Sequence, residues 1–187
     1  MKNNIWLRDE NRGIELEGRT IGIIGFGHTG RAFAKKLRGF DMNILAYDKY
    51  ISDVAQDGVV MCASLDRLYQ EADIVSFHVP LQEDTKHYFN SEFVKNMQKP
   101  FILINTSRGP VVETAALYNG MLSGKLKGAC LDVYETEPIA NMMPRLKKMI
   151  DELLVMPNFV GTPHIAGYTH EALYKMSFTL LNKLSEG

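Results

Sequence analysis

The stretch from Thr20 to Asp48 constrains the fold more than any other part of the sequence. It contains two short apolar runs, 20–24 and 43–47, separated by the glycine loop 25–30 and a run of helix formers. Apolar runs of this length are typical of buried strands, and the loop has the pattern G-x-G-x-x-G. That pattern alone also occurs in ordinary strand–helix turns. The complete order of strand, glycine loop, helix, strand and acid favours dinucleotide binding.

The three glycines of this loop have separate roles in such a site. Gly25 permits a tight turn, Gly27 lets a pyrophosphate approach the backbone, and Gly30 lets the helix pack close to the strand. The helix N-terminus adds free N–H groups and a positive dipole end. Asp48, eighteen residues after Gly30, can accept hydrogen bonds from the hydroxyls of an adenosine ribose. Its charge would repel a 2′-phosphate and favours NAD over NADP, although Lys49 beside it slightly weakens that preference.

The composition favours a soluble, cytoplasmic protein. Hydrophobic residues make up 45% of the 187 residues, and the formal net charge of −1 gives no electrostatic case for binding nucleic acid or an anionic membrane. No apolar run approaches the length of a membrane span, and the first residues have no signal-peptide pattern. Cys62 and Cys130 lie singly within apolar runs, which predicts buried, reduced thiols and no metal site.

Strands and helices alternate along the rest of the chain. The further predicted strands are 59–62, 73–79, 101–105, 127–133 and 159–160, and the further predicted helices are 65–72, 91–97, 114–122, 144–154 and 171–184. Most strands are apolar on both faces. This predicts an α/β fold with a doubly wound parallel sheet, of the Rossmann type, covered by helices on both sides. Ligands bind such sheets beyond the carboxyl ends of the strands.

Four polar residues lie at the carboxyl ends of predicted strands or just after them: His78, Arg108, Asp132 and His164. We interpret His78 as a strand-end histidine that the backbone satisfies and that shapes the adenosine pocket. Arg108 is either a surface salt-bridge partner or, in its Ser-Arg-Gly-Pro turn, a bidentate ligand for a carboxylate. Glu137 is either a solvated loop acid or a partner for a histidine. His164 has small neighbours that leave space for a ligand.

An Arg, a Glu and a His from three strand ends, beside a nicotinamide site, form a specific chemical set. Arg108 can hold a substrate carboxylate, His164 can exchange a proton with a carbonyl or hydroxyl, and Glu137 can orient His164. His87 and His170 have no comparable setting, and we interpret both as surface residues.

Five ordered motifs extend this reasoning over nearly the whole chain: Gly22–Gly30, His78–Leu81, Ile104–Gly109, Leu131–Pro138 and Thr162–Gly167. They resemble the NAD-binding domain of the D-isomer-specific 2-hydroxyacid dehydrogenase family, with members such as phosphoglycerate and glycerate dehydrogenases. The resemblance implies an NAD-dependent oxidoreductase that transfers a hydride between the nicotinamide and C2 of a small 2-hydroxy or 2-keto acid. It also implies that Arg108 binds the substrate carboxylate, that His164 is the acid/base and that Glu137 supports it.

The NAD site is then predicted to be lined by residues from the same strand ends, with Asp132 near the nicotinamide amide. The family usually pairs through its cofactor domains, which predicts a homodimer. The residues of the predicted NAD site are Gly25, Gly27, His28, Thr29, Gly30, Asp48, His78, Val79, Pro80, Thr85, Thr106, Ser107, Arg108, Asp132, His164, Ala166 and Gly167.

The family also has a substrate domain, most of which precedes the first glycine strand. Few residues precede that strand here, so we expect an excised cofactor domain that is inactive alone. Residues 1–18 would be the remnant of an interdomain helix, 19–167 the NAD-binding domain, and 168–187 a helix that crosses back to the missing substrate domain. The segment between Glu137 and His164 is longer than usual for the family.

Two other functions stay open on these motifs. The corepressors called C-terminal-binding proteins resemble the same family, so the chain is alternatively an NAD-sensing interaction module. A scaffold or dimerisation fragment is the third possibility. The motifs do not distinguish between hydroxypyruvate or glycerate, 3-phosphoglycerate and lactate as substrate, because each presents a carboxylate to Arg108.

Overall fold

Seven parallel strands form one sheet in the computed structural model, which describes residues 6, 8–9, 12–52 and 58–185. Their order across the sheet is β3-β2-β1-β4-β5-β6-β7. The order reverses at β1, which is the doubly wound arrangement predicted from the sequence. The strands are β1 Thr20–Ile24, β2 Asn43–Tyr47, β3 Val59–Met61, β4 Ile74–Phe77, β5 Phe101–Asn105, β6 Leu126–Leu131 and β7 Phe159–Gly161.

Among the described residues a helix follows every strand except β2, and the helices begin close to the predicted residues. Asn90 caps one of them, because its side chain accepts a hydrogen bond from the N–H of Phe93 at 2.9 Å. Ser64 accepts from the N–H of Asp66 at 3.3 Å, and the helix there begins at Asp66. The helices are α1 His28–Leu37, α2 Asp66–Glu71, α3 Ser91–Asn96, α4 Thr114–Leu122, α5 Pro144–Leu154 and α6 His170–Ser185.

The apolar core divides into two clusters on the two faces of the sheet. Helix α1 packs with Ile21 and Ile23 on one face, and α2 to α5 pack on the other. Along β5, Phe101 and Leu103 are fully buried against the second group of helices, whereas Ile102 and Ile104 on the α1 face are only partly buried. Helices therefore cover both faces, as predicted, but the α1 face is less completely covered at β5.

Helix α6 differs from the others because it has no buried side chain. Its large apolar residues are mostly in contact with solvent: Tyr174 is 70% exposed and Leu184 is 71% exposed. The rings of Tyr174 and Phe178 stack on each other along the helix, with centroids 6.1 Å apart. Within the described part of the chain, α6 thus lacks the packing that normally stabilises an amphipathic helix.

The predicted helix remnant at 1–18 is described only in part. Residues 1–5, 7, 10 and 11 lie outside the described range, and residues 12–18 form no helix: they are chain without regular secondary structure followed by a turn. Residues 53–57, between β2 and β3, also lie outside the described range. Among the described helices, none has the length and hydrophobicity needed to cross a bilayer.

Candidate functional site

The predicted site residues follow the carboxyl ends of neighbouring strands. Gly25 follows β1, His78 follows β4, and the turn 106–108 follows β5. Asp132 follows β6, and His164 lies shortly after β7. Because the strands are parallel and adjacent in that order, these residues lie in succession along one edge of the sheet. With strands about 4.8 Å apart, the edge from β2 to β7 extends over roughly 24 Å.

The glycine loop has the geometry that a pyrophosphate site requires. Gly25 has φ +92°, and a Cβ there would lie 2.6 Å from the carbonyl oxygen of His78. A Cβ at Gly30 would overlap the carbonyl oxygen of Gly25, whereas a Cβ at Gly27 would meet nothing within 4 Å. The loop is therefore closely packed at Gly25 and Gly30 and open at Gly27, as predicted.

The N-terminus of α1 adds the electrostatic part of this site. Its first turn carries no acidic residue, and its N-cap residue, Gly27, has no side chain that could cap it. The first N–H groups of the helix are thus left to face an anion. His28 and Thr29, the first two residues of the helix, are exposed at this end.

A cleft of about 240 Å³ lies beside the glycine loop. Asp48 lies on its wall and has a structural role that the sequence did not predict. One carboxylate oxygen accepts from the N–H of Phe26 at 2.7 Å, and the other accepts from Tyr50 and Ile51 at 2.9 and 3.1 Å. Asp48 therefore fixes the glycine loop as well as facing the cleft. The predicted residues that line the cleft are Gly25, Gly27, Asp48, His78, Val79, Pro80 and Thr85.

The interpretation of the His78 side chain as satisfied by the backbone is wrong. Its Nε2 lies 2.9 Å from the hydroxyl of Ser76, and its Nδ1 is buried with no hydrogen-bond partner among the described residues. The ring packs against Phe33, with centroids 5.0 Å apart. Burial lowers the pKa of His78 from 6.5 to about 4, because the imidazolium form would lose its hydration. His78 is therefore a neutral wall of the cleft.

This burial predicts a pH-dependent stability. The unfolded chain binds a proton at His78 below about pH 6.5 and the folded chain only near pH 4, so the unfolding free energy falls as pH falls between these values. The expected loss is about 1.4 kcal/mol per pH unit. Urea unfolding at pH 7.0 and pH 5.0 measures it. His78→Gln is expected to remove this part of the slope, and the exposed His170→Gln is the matched control. An unchanged slope in His78→Gln would contradict the burial effect.

The turn that carries Arg108 is held by Asn105, which sequence reasoning did not select. The side-chain oxygen of Asn105 accepts from both the N–H and the hydroxyl of Ser107, at 3.0 and 2.8 Å. Its amide donates to the carbonyl of Arg108 at 3.0 Å. An asparagine whose side chain bonds to the backbone two residues onward forms an Asx turn. The position of Asn105 at the end of a predicted strand is the sequence signal that could have indicated this turn. Arg108 and Thr106 are exposed, and Ser107 is buried.

His164 and Glu137 form the pair that the sequence predicted. Nδ1 of His164 lies 2.7 Å from one oxygen of Glu137, and the other oxygen of Glu137 accepts from the N–H of Tyr134 at 2.9 Å. The side chain of His164 is 53% exposed and that of Glu137 is 35% exposed. Glu137 therefore fixes the ring through Nδ1 and leaves Nε2 available to a substrate.

Asp132 holds the segment that carries His164. One carboxylate oxygen accepts from the Thr162 hydroxyl at 2.5 Å and the Ile165 N–H at 2.8 Å, and the other accepts from the Ala166 N–H at 2.9 Å. Burial acts to raise the pKa of Asp132, but these hydrogen bonds outweigh it and hold the pKa below its usual value. His164 has φ +56°, so this carboxylate stabilises a backbone turn that is unfavourable for a histidine. Ala166 and Gly167 beyond it are exposed.

His87 is not the plain surface residue that we expected. Its Nε2 lies 2.8 Å from Glu135, a carboxylate that also accepts from the N–H of Thr114 at 2.6 Å. Glu135 thus joins the loop after β6 to the N-terminus of α4. These contacts join residues 48 and 21 positions apart, so no local sequence pattern predicts them.

No group of three or more His, Cys, Asp or Glu side chains among the described residues is arranged to hold a metal ion.

Comparison with known proteins identifies relatives of this chain. The chain is 39% identical to the hydroxypyruvate reductase of Thermotoga maritima over 184 residues, which are 98% of this chain and 58% of that protein. It is 37% identical to the D-3-phosphoglycerate dehydrogenase of Methanocaldococcus jannaschii, covering 92% of this chain and 32% of that protein. The chain thus spans about a third to three fifths of the length of these two curated relatives.

Solved structures of 2-hydroxyacid dehydrogenases also resemble this chain. The D-lactate dehydrogenase of Aquifex aeolicus, determined in complex with NAD and lactic acid, has a TM-score of 0.83 and 34% identity over 100% of this chain and 59% of its own. D-2-hydroxyisocaproate dehydrogenase has a TM-score of 0.84 and 35% identity over 94% of this chain and 54% of its own. The sequence model for "D-isomer specific 2-hydroxyacid dehydrogenase, NAD binding domain" matches residues 1–166. The chain belongs to this family of NAD-binding domains.

Proposed function

We propose that the chain is the cofactor-binding and proton-transferring part of an oxidoreductase that acts on a small 2-hydroxy or 2-keto acid. The observation that carries the proposal is the His164–Glu137 pair, 2.7 Å apart, on the same sheet edge as the glycine loop. Bound NAD supplies the hydride chemistry. The relatives act on different acids by their names, so the proposal covers the substrate class and no single substrate.

The chain's own residues have three tasks in this proposal. Arg108, exposed after β5, holds the substrate carboxylate through its guanidinium. His164 gives a proton to the carbonyl oxygen in reduction and takes one from the hydroxyl in oxidation, at Nε2. Glu137 keeps the ring oriented through Nδ1. The cleft walls at His78, Val79 and Pro80 take the adenosine end of the cofactor.

Asp48 is expected to set the preference for NAD. Asp48→Asn removes the charge that repels a 2′-phosphate and keeps an oxygen that can support the glycine loop. We expect the ratio of the NADP and NAD dissociation constants to fall about tenfold in this variant. Asp48→Ala should in addition weaken NAD binding, because the N–H of Phe26 loses its acceptor. Isothermal titration calorimetry with both dinucleotides measures the ratio, and an unmodified chain that prefers NADP would refute the assignment.

We also propose that turnover needs polypeptide beyond the residues described. The partial exposure of His164 and Glu137 supports this, because catalysis requires a substrate held with water excluded. The exposed apolar residues of α6 support a role for 168–187 as a helix that packs against a substrate domain. Residues 1–18 are proposed as the matching connection and 19–167 as the NAD-binding domain.

The test compares the 187-residue chain with a protein of the relatives' full length that contains it. The short chain should bind NAD and reduce 2-keto acids negligibly, and the longer protein should be active. Tight NAD binding without turnover in the longer protein would instead favour an NAD-sensing interaction module.

We further propose a cytoplasmic homodimer, by analogy with the family. Light scattering at tens of micromolar, a rough concentration for a weak pair, tests the dimer.

A further inference from the structure

An ion pair joins two of the loops that line the cleft, the one after β2 and the one after β4. Nζ of Lys49, directly after Asp48, lies 2.6 Å from a carboxylate oxygen of Asp84. Both side chains line the cleft, although they are 35 residues apart in the sequence. Nothing in the sequence pattern had selected Asp84.

The turn that presents Asp84 is tightly held. The buried hydroxyl of Thr85 accepts from the N–H of Gln82 at 2.7 Å and donates to the carbonyl of Pro80 at 2.6 Å. The N–H groups of Thr85 and Lys86 donate to the carbonyl of Gln82 at 3.1 and 3.0 Å. The backbone of Asp84 is therefore fixed opposite Lys49 rather than on a loose loop.

Stability does not account for this pair. The side chains of Lys49 and Asp84 are 59% and 41% exposed, and ion pairs with such exposure contribute little to folding. Their effect is local charge. Lys49 is the cation beside the residue expected at the ribose 2′ position, where a free ammonium would attract a phosphate. Paired with Asp84 it is neutralised, and Asp48 leaves one net negative charge among these three groups.

We propose that Asp84 is a specificity-determining residue, which pairs with Lys49 and so withholds that cation from the 2′-phosphate of NADP. The inference rests on the proposed placement of the adenosine ribose at Asp48. It assigns the exclusion of NADP to two carboxylates: Asp48 repels the phosphate directly, and Asp84 removes the nearby cation.

Calorimetric titration of the 187-residue chain with NAD and NADP tests this. Asp84→Asn keeps the size of the side chain and removes the carboxylate that neutralises Lys49, whose Nζ also lies 5.4 Å from the centroid of the Tyr50 ring. It should tighten NADP binding about three- to fivefold and change NAD binding less than about twofold. The gain should shrink in 1 M salt, where the screening length falls to about 3 Å.

Two further variants make the result specific. Glu83→Gln removes the same charge from the neighbouring position, which is exposed and does not line the cleft, and should leave NADP binding nearly unchanged. Lys49→Met combined with Asp84→Asn should cancel the gain. An equal gain in Glu83→Gln, or a gain that survives without Lys49, would overturn the role of Asp84 while NAD binding stands. A chain that binds neither dinucleotide would overturn the proposed function and this inference together.

Discussion

His164→Ala is expected to lower the NADH-dependent reduction of a 2-keto acid by about 10²- to 10⁴-fold in a protein of the relatives' full length that contains this chain. The substitution removes the imidazole that transfers the proton. In that ring Nδ1 lies 2.7 Å from Glu137, so Nε2 is the nitrogen available to the substrate. NAD affinity should change little, because the adenosine cleft is lined by other residues. Steady-state rates together with calorimetric NAD binding separate the two effects.

Variants of Glu137 and His170 refine this prediction. Glu137→Gln keeps an oxygen that can accept from Nδ1–H and should lose less activity than Glu137→Ala, in which the ring is no longer held. His170→Ala changes a histidine at the start of α6 that is not among the proposed substrate or cofactor residues, and it should lower the rate far less than His164→Ala. If His164→Ala retained more than a tenth of the activity, His164 would not be the acid/base.

Gly109→Ala is expected to lower the free energy of unfolding by at least about 3 kcal/mol, or to prevent folding. A Cβ at Gly109 would overlap the backbone carbonyl of Tyr134, and backbone atoms cannot move aside as the end of a flexible side chain can. The contact joins the turn that carries Arg108 to the loop that carries Glu137. Urea unfolding followed by circular dichroism measures the loss.

Gly27→Ala is the matched control for Gly109→Ala. A Cβ at Gly27 meets nothing within 4 Å, so the unfolding free energy should stay within about 1 kcal/mol. NAD affinity should nevertheless fall about tenfold or more, because the methyl group stands where the pyrophosphate approaches the backbone. If both variants lost stability equally, the packing difference between the two glycines would not matter.

The fold was largely predictable because apolar runs and caps are local signals. The strands 20–24, 43–47 and 101–105 and the helices 114–122 and 144–154 have the predicted bounds. The strand predicted at 127–133 ends at Leu131, since Asp132 turns its carboxylate to the segment after β7. The strand predicted at 73–79 is shorter at both ends. Asp73 instead accepts from the N–H of Thr20 at 3.0 Å.

The motif residues of the candidate site were predictable from the sequence, but the hydrogen bonds and ion pairs that hold them in place were not. The pairing of His164 with Glu137 is predictable because both follow strand ends and have complementary chemistry, and because the five ordered motifs resemble one family. Glu135 with His87 and Lys49 with Asp84 were missed, since a hydrogen bond between distant positions has no periodicity to reveal it. The interpretation of His78 is wrong for a related reason: the pattern places it at a strand end but does not show that Ser76 bonds to its ring and that Phe33 packs against it.

The position of β7 has a consequence for the order in which the candidate site assembles during synthesis. The glycine loop directly follows β1, while His164 follows β7, which lies at the edge of the sheet. The N–H groups of Thr162 and His164 bond to the carbonyls of Leu131 and Asp132, and the ring bonds to Glu137. A ribosome synthesises the cofactor loop long before the histidine, and the histidine reaches its place only once β6 is present to receive it.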